Sequence, residues 1–351
     1  LSAPLALPSA SVVQGGVGSG ILYNVMTCDL PDTVHTNHPV SLEDTDHHCR
    51  EDGDMVTFVD DATSFYGNHD PAEVTRVTNK NFAAIESYMN ANKLKVNSDK
   101  THLLVITKSG GGEVRGRLAQ ERRAAVTLTA GGEQVKQSDS EVLLGATVHY
   151  SGTWAAMIRD GKASLLSQLR IRVNALKMIC QHADLRTKKM VAGGIFQSKL
   201  QYLLPLFGAA PDYLLRGIQV QQMAAARAVV GPQGFRWSNA RTLNYLGWLN
   251  VKQQYVASTL TLTHKIVTTG KPVNIFRSMV TPYPYPTRGA ARQELRAWAG
   301  TVRGRDRTAL TSRTFQYQAI AYYNSIPTNY KSYSMDRFKA AAKKWARSNV
   351  S

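Results

Sequence analysis

The spacing of hydrophobic and polar positions along the chain changes near residue 155. Before it, short apolar and β-branched runs such as Met55–Val59 and Ala62–Tyr66 are separated by turn residues, which is typical of strands. After it, apolar residues recur every three or four positions, as along residues 165–180, which is typical of amphipathic helices. The pattern predicts an α+β fold whose second part is mostly α-helical.

Asp60 and Asp61 lie between the two predicted strands. Two adjacent charges cannot both be buried in a strand without partners, so we expect them at the tip of a β-hairpin. One interpretation is an ordinary turn, in which aspartate is common. The other is a carboxylate pair that a rigid hairpin holds for a divalent metal, because hard cations such as Mg²⁺ prefer oxygen ligands.

The rest of the first part gives further local predictions. A helix is predicted to begin at Asp70, which can cap it ahead of a proline, and to end near Asn92. His102–Thr107 and Glu141–Tyr150 are predicted to be strands. Lys108–Arg123 carries four glycines and many charges, and is predicted to be a mobile loop.

The second part is predicted to contain four amphipathic helices and a basic terminal one. Apolar stripes cover residues 165–180 and 213–230, a helix capped by Asp184 or Thr187 runs through Leu200, residues 245–267 are predicted to be helical, and a last helix follows Ser334. The aromatic and methionine side chains on these stripes are interpreted as core.

A proline-rich stretch, Thr281–Pro286, cannot sit in a helix or a central strand and is predicted to be extended. Together with the change of period, it suggests three domains. These are a sheet-containing domain at residues 1–154, a helical domain at 155–267 and a basic helical region at 268–351.

Charge separates the two parts of the chain. Residues 1–150 contain 12 Lys+Arg and 19 Asp+Glu, a balance of −7, whereas residues 151–351 contain 30 and 6, a balance of +24. A cationic surface of this kind calls for a polyanionic partner, most simply a nucleic acid backbone. A generally basic protein without such a partner is the alternative.

The cysteines and the apolar runs indicate in which cellular compartment the protein is expected. Cys28, Cys49 and Cys180 are widely spaced and form no C-x-x-C motif, which argues against disulfides and zinc ribbons. The His- and acid-rich stretch 35–54 is interpreted as a solvated connector. No apolar run reaches a membrane span, so we expect a soluble intracellular protein of the nucleus or cytoplasm. Leu1 is not a methionine, so we expect a fragment.

Several stretches of the sequence, taken together in chain order, resemble the motifs of one protein family. They are Gln14-Gly-Gly-Val-Gly-Ser-Gly20 with Asp29-Leu-Pro31, Phe58-Val-Asp-Asp61, Asn92-Lys-Leu-Lys-Val-Asn97 with Lys100-Thr101, Leu143-Leu-Gly145 before Trp154, residues 215–231, and Tyr323-Asn-Ser-Ile-Pro327 with Phe338-Lys339. This order resembles the palm, thumb and C-terminal region of non-LTR retrotransposon reverse transcriptases, most of all those of jockey-related elements. The resemblance implies that residues 1–154 are a partial palm, an antiparallel sheet with packed helices, followed by a mostly α-helical thumb and C-terminal region.

The resemblance implies an RNA-directed DNA polymerase that performs two-metal nucleotidyl transfer. Asp60 and Asp61 match the family's (Phe/Tyr)-x-Asp-Asp hairpin and would bind two Mg²⁺ ions, which Mn²⁺ could replace, with Asp60 the more direct ligand. Lys100 would stand near the triphosphate of the incoming dNTP and assist the leaving group.

The resemblance also implies residues that bind the RNA template, the DNA primer and the nucleotide. Gln14, Gly15 and Asn97 would contact nucleotide and template, and Leu144 and Gly145 would position the primer end. Four cations would bind phosphates of the template–primer duplex without reading sequence. They are Lys162, Arg170, Lys177 and Lys188.

The family's site needs a third carboxylate, which belongs upstream of Gln14, and none of the thirteen preceding residues is acidic. We therefore expect this chain alone to bind metal weakly and not to catalyse. One alternative is a degenerate or repurposed remnant that binds nucleic acid without polymerising. Another is a structural module with no nucleic acid partner. The sequence indicates neither the host nor the oligomeric state.

Overall fold

The computed structural model describes residues 27–34, 53–58, 61–107, 113–161, 163–279, 295 and 313–350. The chain divides into two compact units, unit 1 (residues 1–142 and 148–152) and unit 2 (143–147 and 153–351). The fold is α+β, mostly helical, with short antiparallel strand pairs, as the sequence predicts in outline. No helix among the described residues is long and apolar enough to cross a bilayer.

Six short strands form three separate two-stranded sheets within the described residues. The predicted antiparallel sheet is therefore divided into pairs, and the predicted strand at 102–107 contributes only a single bridge, Leu103 to Gln137. The strands are β1 (Asp54–Phe58), β2 (Asp61–Phe65), β3 (Thr129–Ala130), β4 (Glu133–Gln134), β5 (Ser140–Leu143) and β6 (Ala146–His149).

Helix α1 (Pro71–Ala91) forms where the sequence predicts it. The Asp70 carboxylate accepts a hydrogen bond from the Ala72 amide at 3.0 Å, and so caps the helix start. Asn79 attaches the helix to the segment that enters β3: its side-chain amide donates to the Thr127 carbonyl at 2.8 Å, and its side-chain carbonyl accepts from the Thr129 amide at 2.9 Å. These bonds satisfy backbone groups that a two-residue strand leaves unpaired.

Two predictions are wrong, the loop at residues 108–123 and the strand at residues 141–150. Helix α2 (Glu113–Ala124) occupies most of the predicted mobile loop. Three of the four glycines precede this helix, and the remaining one, Gly116, costs only about 1 kcal/mol among good helix formers. The predicted strand at 141–150 is a hairpin, because Leu144 and Gly145 adopt positive φ and reverse the chain.

Unit 2 is built from helices that share one hydrophobic core. Leu169, Ile218 and Leu260 are fully buried, and they lie on three long helices, Leu165–Ile179, Asp212–Val230 and Val251–Thr269. The helices are α3 (Ala155–Ile158), α4 (Leu165–Ile179), α5 (Leu185–Ala192), α6 (Ser198–Gln201), α7 (Leu204–Phe207), α8 (Asp212–Val230), α9 (Asn239–Leu246), α10 (Val251–Thr269), α11 (Val273–Met279), α12 (Phe315–Ser325) and α13 (Met335–Asn349).

Short helical turns connect some of these elements. A π-helical turn at Gly193–Gln197 continues α5 into α6, so the predicted helix at 184–200 is present with a local change of pitch. The 3₁₀ turns are Leu30–Thr33 and Ser98–Lys100 in unit 1, and Pro232–Phe235 and Thr328–Ser332 in unit 2.

The single helix predicted at 245–267 is instead divided between α9 and α10. Gly247 at φ +74° ends α9: its amide bonds to the Asn244 carbonyl, and the Trp248 amide bonds to the Leu243 carbonyl at 2.9 Å. Asn250 then starts α10 with a reciprocal capping box. Helices α12 and α13 pack on α10, so the boundary predicted at residue 267 falls inside unit 2. The proline-rich stretch 281–286 lies outside the described residues.

His264 lies at the junction of α10, α12 and α13. Its ring stacks on Phe338 with centroids 3.8 Å apart. Its Nε2 lies 3.0 Å from the Tyr333 carbonyl and its Nδ1 lies 3.1 Å from the Tyr323 hydroxyl, so the neutral ring can donate to the first and accept from the second. Burial lowers the pKa of His264 and raises the pKa of Tyr323 to about 12, which favours this arrangement.

Acid is expected to destabilise unit 2 through His264. Because its pKa in the folded chain lies below the ordinary value of 6.5, the unfolded chain binds the proton first. The contribution of the neutral His264 ring to the stability of the fold is complete above pH 6.5. It is lost as the pH falls towards the pKa of His264 in the folded chain. Urea unfolding between about pH 7.5 and about pH 5 should show a smaller loss of stability in His264→Gln than in the wild type. The exposed His182, changed to Gln, is the control and should keep the wild-type slope. An unchanged slope in His264→Gln would contradict the assignment.

Candidate nucleic-acid interface

The hairpin β1–β2 carries the acidic motif. The strands pair antiparallel from Asp54 opposite Phe65 to Phe58 opposite Asp61, which leaves only residues 59 and 60 between them. The predicted hairpin is therefore present, with Asp61 as the first residue of β2. Asp60 lies outside the described residues.

The two faces of this hairpin differ. Met55 is buried in a small core with Leu30 and Ile85. Because side chains alternate along a strand and opposite residues share a face, Asp61 lies on the other face together with Phe58. Phe58 is 58% exposed, so Asp61 belongs to an exposed face with an apolar component. Such surfaces are typical of contacts with a partner or substrate.

The Asp61 side chain is suited in kind to a hard divalent cation. It is exposed, and within the described ranges it makes no hydrogen bond or ion pair, so both oxygens are accessible. Across that same part of the chain, no three His, Cys, Asp or Glu side chains lie close enough together to hold a metal ion. A magnesium site here would therefore draw on Asp61 and on carboxylates outside the described residues.

Asn97 and Lys100 belong to a 3₁₀ turn in unit 1. The Asn97 side-chain oxygen accepts from the Asp99 amide at 3.1 Å, and its carbonyl accepts from the Lys100 amide at 3.1 Å. Asn97 thus shapes the turn through its own side chain. Lys100 is exposed at the end of this turn, and among the described residues no ion pair or hydrogen bond joins it to Asp61.

Leu144 and Gly145 form the two-residue turn between β5 and β6. Their φ angles are +48° and +80°. Both central positions of such a turn favour Asn or Gly, and a branched side chain at positive φ costs about 1–2 kcal/mol. The Leu144 side chain is 41% exposed, so burial does not offset this cost.

Tyr202 holds this turn from within unit 2. Its hydroxyl donates to the Leu144 carbonyl at 2.7 Å. A Cβ at Gly145 would lie 3.2 Å from the ring, so glycine suits this position on steric as well as conformational grounds. The Lys199 ammonium lies 5.8 Å from the centre of the same ring, which adds a cation beside the turn.

The predicted backbone-binding cations lie on α4 and α5. Arg170 and Lys177 are exposed and seven residues apart on α4, so they share one face of the helix. Lys188 is partly buried on α5. None of the three forms an ion pair with another described residue, which leaves their charges available to phosphates. Lys162, like Gln14 and Gly15, lies outside the described residues.

The predicted site residues are divided between the two units. Asp61, Asn97 and Lys100 lie in unit 1, whereas the Leu144–Gly145 turn and the cations lie in unit 2. Sequence reasoning missed a cluster in unit 2 of the half-buried Trp237 with the exposed Arg241 and Tyr245. One feature of the sequence could have pointed to this cluster: no acidic residue occurs from Tyr213 to Gln293.

No family model, no curated protein and no solved structure matches this chain.

Relief of the positive φ at Leu144 should stabilise the hairpin. Leu144→Asn gives the Asn-Gly pair that this turn favours, and we expect the free energy of unfolding to rise by roughly 0.5–1 kcal/mol. Leu143→Asn is the matched control, because Leu143 is 40% exposed but lies in strand conformation. Urea unfolding of both variants measures the difference. Equal effects would show that backbone strain at Leu144 is negligible.

Proposed function

We propose that this chain is the C-terminal part of a non-LTR retrotransposon reverse transcriptase, an RNA-directed DNA polymerase. The observation that supports the proposal best is the β1–β2 register, which leaves two residues between Phe58 and Asp61. This register puts Asp61 at the end of a hairpin, and Asp60 precedes it in the sequence; two carboxylates held in this way are what a metal-dependent nucleotidyl transfer requires.

The reaction joins the primer 3′-oxygen to the α-phosphorus of a dNTP and releases pyrophosphate. Asp60 and Asp61 would hold two Mg²⁺ ions, or Mn²⁺. When bound, these ions favour loss of the 3′-hydroxyl proton and neutralise charge on the leaving pyrophosphate. Lys100, exposed at the end of the turn that Asn97 shapes, supplies a positive charge or a proton to the leaving group.

The remaining proposed contacts hold the nucleic acids. Gln14 and Gly15, which lie outside the described residues, would contact template and nucleotide, while Leu144 and Gly145 would position the primer end. The strain at Leu144 supports this role, because an exposed leucine at positive φ improves neither the turn nor the core. The exposed cations of α4 bind duplex phosphates without sequence preference.

Loss of one carboxylate is expected to abolish polymerase activity. In the parent protein with its upstream palm segment, Asp60→Asn should reduce Mg²⁺-dependent primer extension on an RNA template by on the order of a hundredfold or more. Asp70→Asn is the matched control, because asparagine also caps α1 and the same charge is removed from the same unit. Full extension by Asp60→Asn would refute the proposal.

A second candidate function is nucleic acid binding without polymerisation. The sequence observation that favours it is the set of glycines at positions 16, 18 and 20, where the family has bulkier residues. A parent protein that binds an RNA–DNA hybrid with a steep salt dependence, yet extends no primer even with its upstream segment, would select this function over the first.

A further inference from the structure

An open cleft of ≈740 Å³ lies in unit 2 where the 3₁₀ turn Pro232–Phe235 leads into α9. Its walls are aromatic and polar. The lining residues are Gln233, Trp237, Arg241, Asn244 and Tyr245.

Two aromatic rings form the apolar part of this cleft. The Trp237 and Tyr245 rings meet edge to face with centroids 5.1 Å apart. Neither ring is part of the hydrophobic core of unit 2, and Tyr245 is 49% exposed. Their mutual packing fixes the orientation of both rings while it leaves ring surface open to a ligand.

Two cations flank these rings. The Arg241 guanidinium lies 4.6 Å from the centre of the Trp237 ring. The Lys189 ammonium, from α5, lies 5.4 Å from the centre of the Tyr245 ring and donates to the Tyr245 carbonyl at 3.3 Å. Neither cation has an acidic partner among the described residues, and the sequence contains no acid between Asp212 and Glu294.

We propose that this cleft binds single-stranded nucleic acid. A base stacks on the exposed Tyr245 ring, which Trp237 holds by edge-to-face packing, and the adjacent phosphates bind Arg241 and Lys189. This is the combination of stacking surface and cation that single-strand sites use. A duplex does not fit this chemistry, because its base faces are already covered by neighbouring bases. The inference goes beyond the polymerase proposal, since the cleft needs none of the metal-binding carboxylates.

The test is fluorescence anisotropy of the full chain with labelled strands of about twelve nucleotides, within the usual span of single-strand sites. The strands are oligo-dT, oligo-U, a duplex of the same length and an abasic strand with the same phosphates. Tyr245→Ala should raise the Kd for dT or U about tenfold and leave the Kd for the duplex and the abasic strand unchanged. Arg241→Gln should weaken binding of all the single strands, the abasic one included.

Matched controls lie at the far end of α8. Tyr213 is 60% exposed on the first turn, about 26 Å along the helix axis from the turn that enters the cleft, and Arg216 is also exposed. Tyr213→Ala and Arg216→Gln remove the same groups and should leave single-strand binding at the wild-type level.

Trp237→Phe is a second variant, which keeps an aromatic ring at this position. It is therefore less prone to misfold than a variant that removes a whole ring, such as Tyr245→Ala. Oligo-dT should quench tryptophan fluorescence in the wild type and quench it less in Trp237→Phe, with affinity close to that of the wild type. Unchanged Kd values in Tyr245→Ala, or an equal loss for the abasic strand, would overturn the inference. These outcomes do not depend on primer extension. If the parent protein extends no primer, but Tyr245→Ala weakens binding of dT or U and not of the abasic strand, only the polymerase proposal is disproved.

Discussion

The burial of helix α10 is the constraint on which unit 2 depends. Its buried residues lie all around the helix, so neighbouring helices must cover every side of it. Several of these residues are polar, and each requires an internal partner. The Gln254 amide donates to the Gln197 side chain at 3.0 Å and to the Leu249 carbonyl at 3.1 Å, and the Thr263 hydroxyl donates to the Thr259 carbonyl at 2.7 Å. These directional bonds, together with those of His264, add specificity to apolar contacts that would otherwise tolerate sliding.

Most of the positive charge of unit 2 lies at its surface, with the buried Lys331 as an exception. The described acids of the unit are few, and three of them are used locally: Asp184 caps α5, Asp160 pairs with Arg159 at 2.9 Å, and Asp336 lies 3.8 Å from Lys339. Most cations of the unit therefore lack a compensating carboxylate among the described residues. Their mutual repulsion works against compaction, so a polyanion that binds this surface stabilises the unit as well as being held by it.

Local signals in the sequence predict much of the fold. The start of α1 follows from Asp70 and Pro71, and the β1–β2 hairpin from alternating residues around two acids, because both features are decided within a few residues. The sequence does not predict helix α2, because the glycines that indicate a loop in this stretch mostly precede the helix. The Gly247 break was missed because apolar spacing continues across it.

The candidate site is less accessible to sequence reasoning, because its contacts join distant positions. Tyr202 bonds to Leu144 across 58 residues, and Lys189 reaches Tyr245 across 56. Neither pair has a spacing that a helix or a strand would reveal. The motif order that resembles a reverse transcriptase selects Leu144 but gives no reason for the conformation of its backbone.

Local preference and observed structure disagree at two places in unit 2, and the disagreement is informative. At the β5–β6 turn, Leu144 holds a positive φ that asparagine would adopt more easily, and the Tyr202 hydroxyl stabilises the turn from outside. At the cleft, Trp237 and Tyr245 remain outside the core although burial would stabilise both rings. Since residues that break local rules without a structural gain concentrate at functional sites, both departures support a nucleic-acid-binding role for this cationic unit.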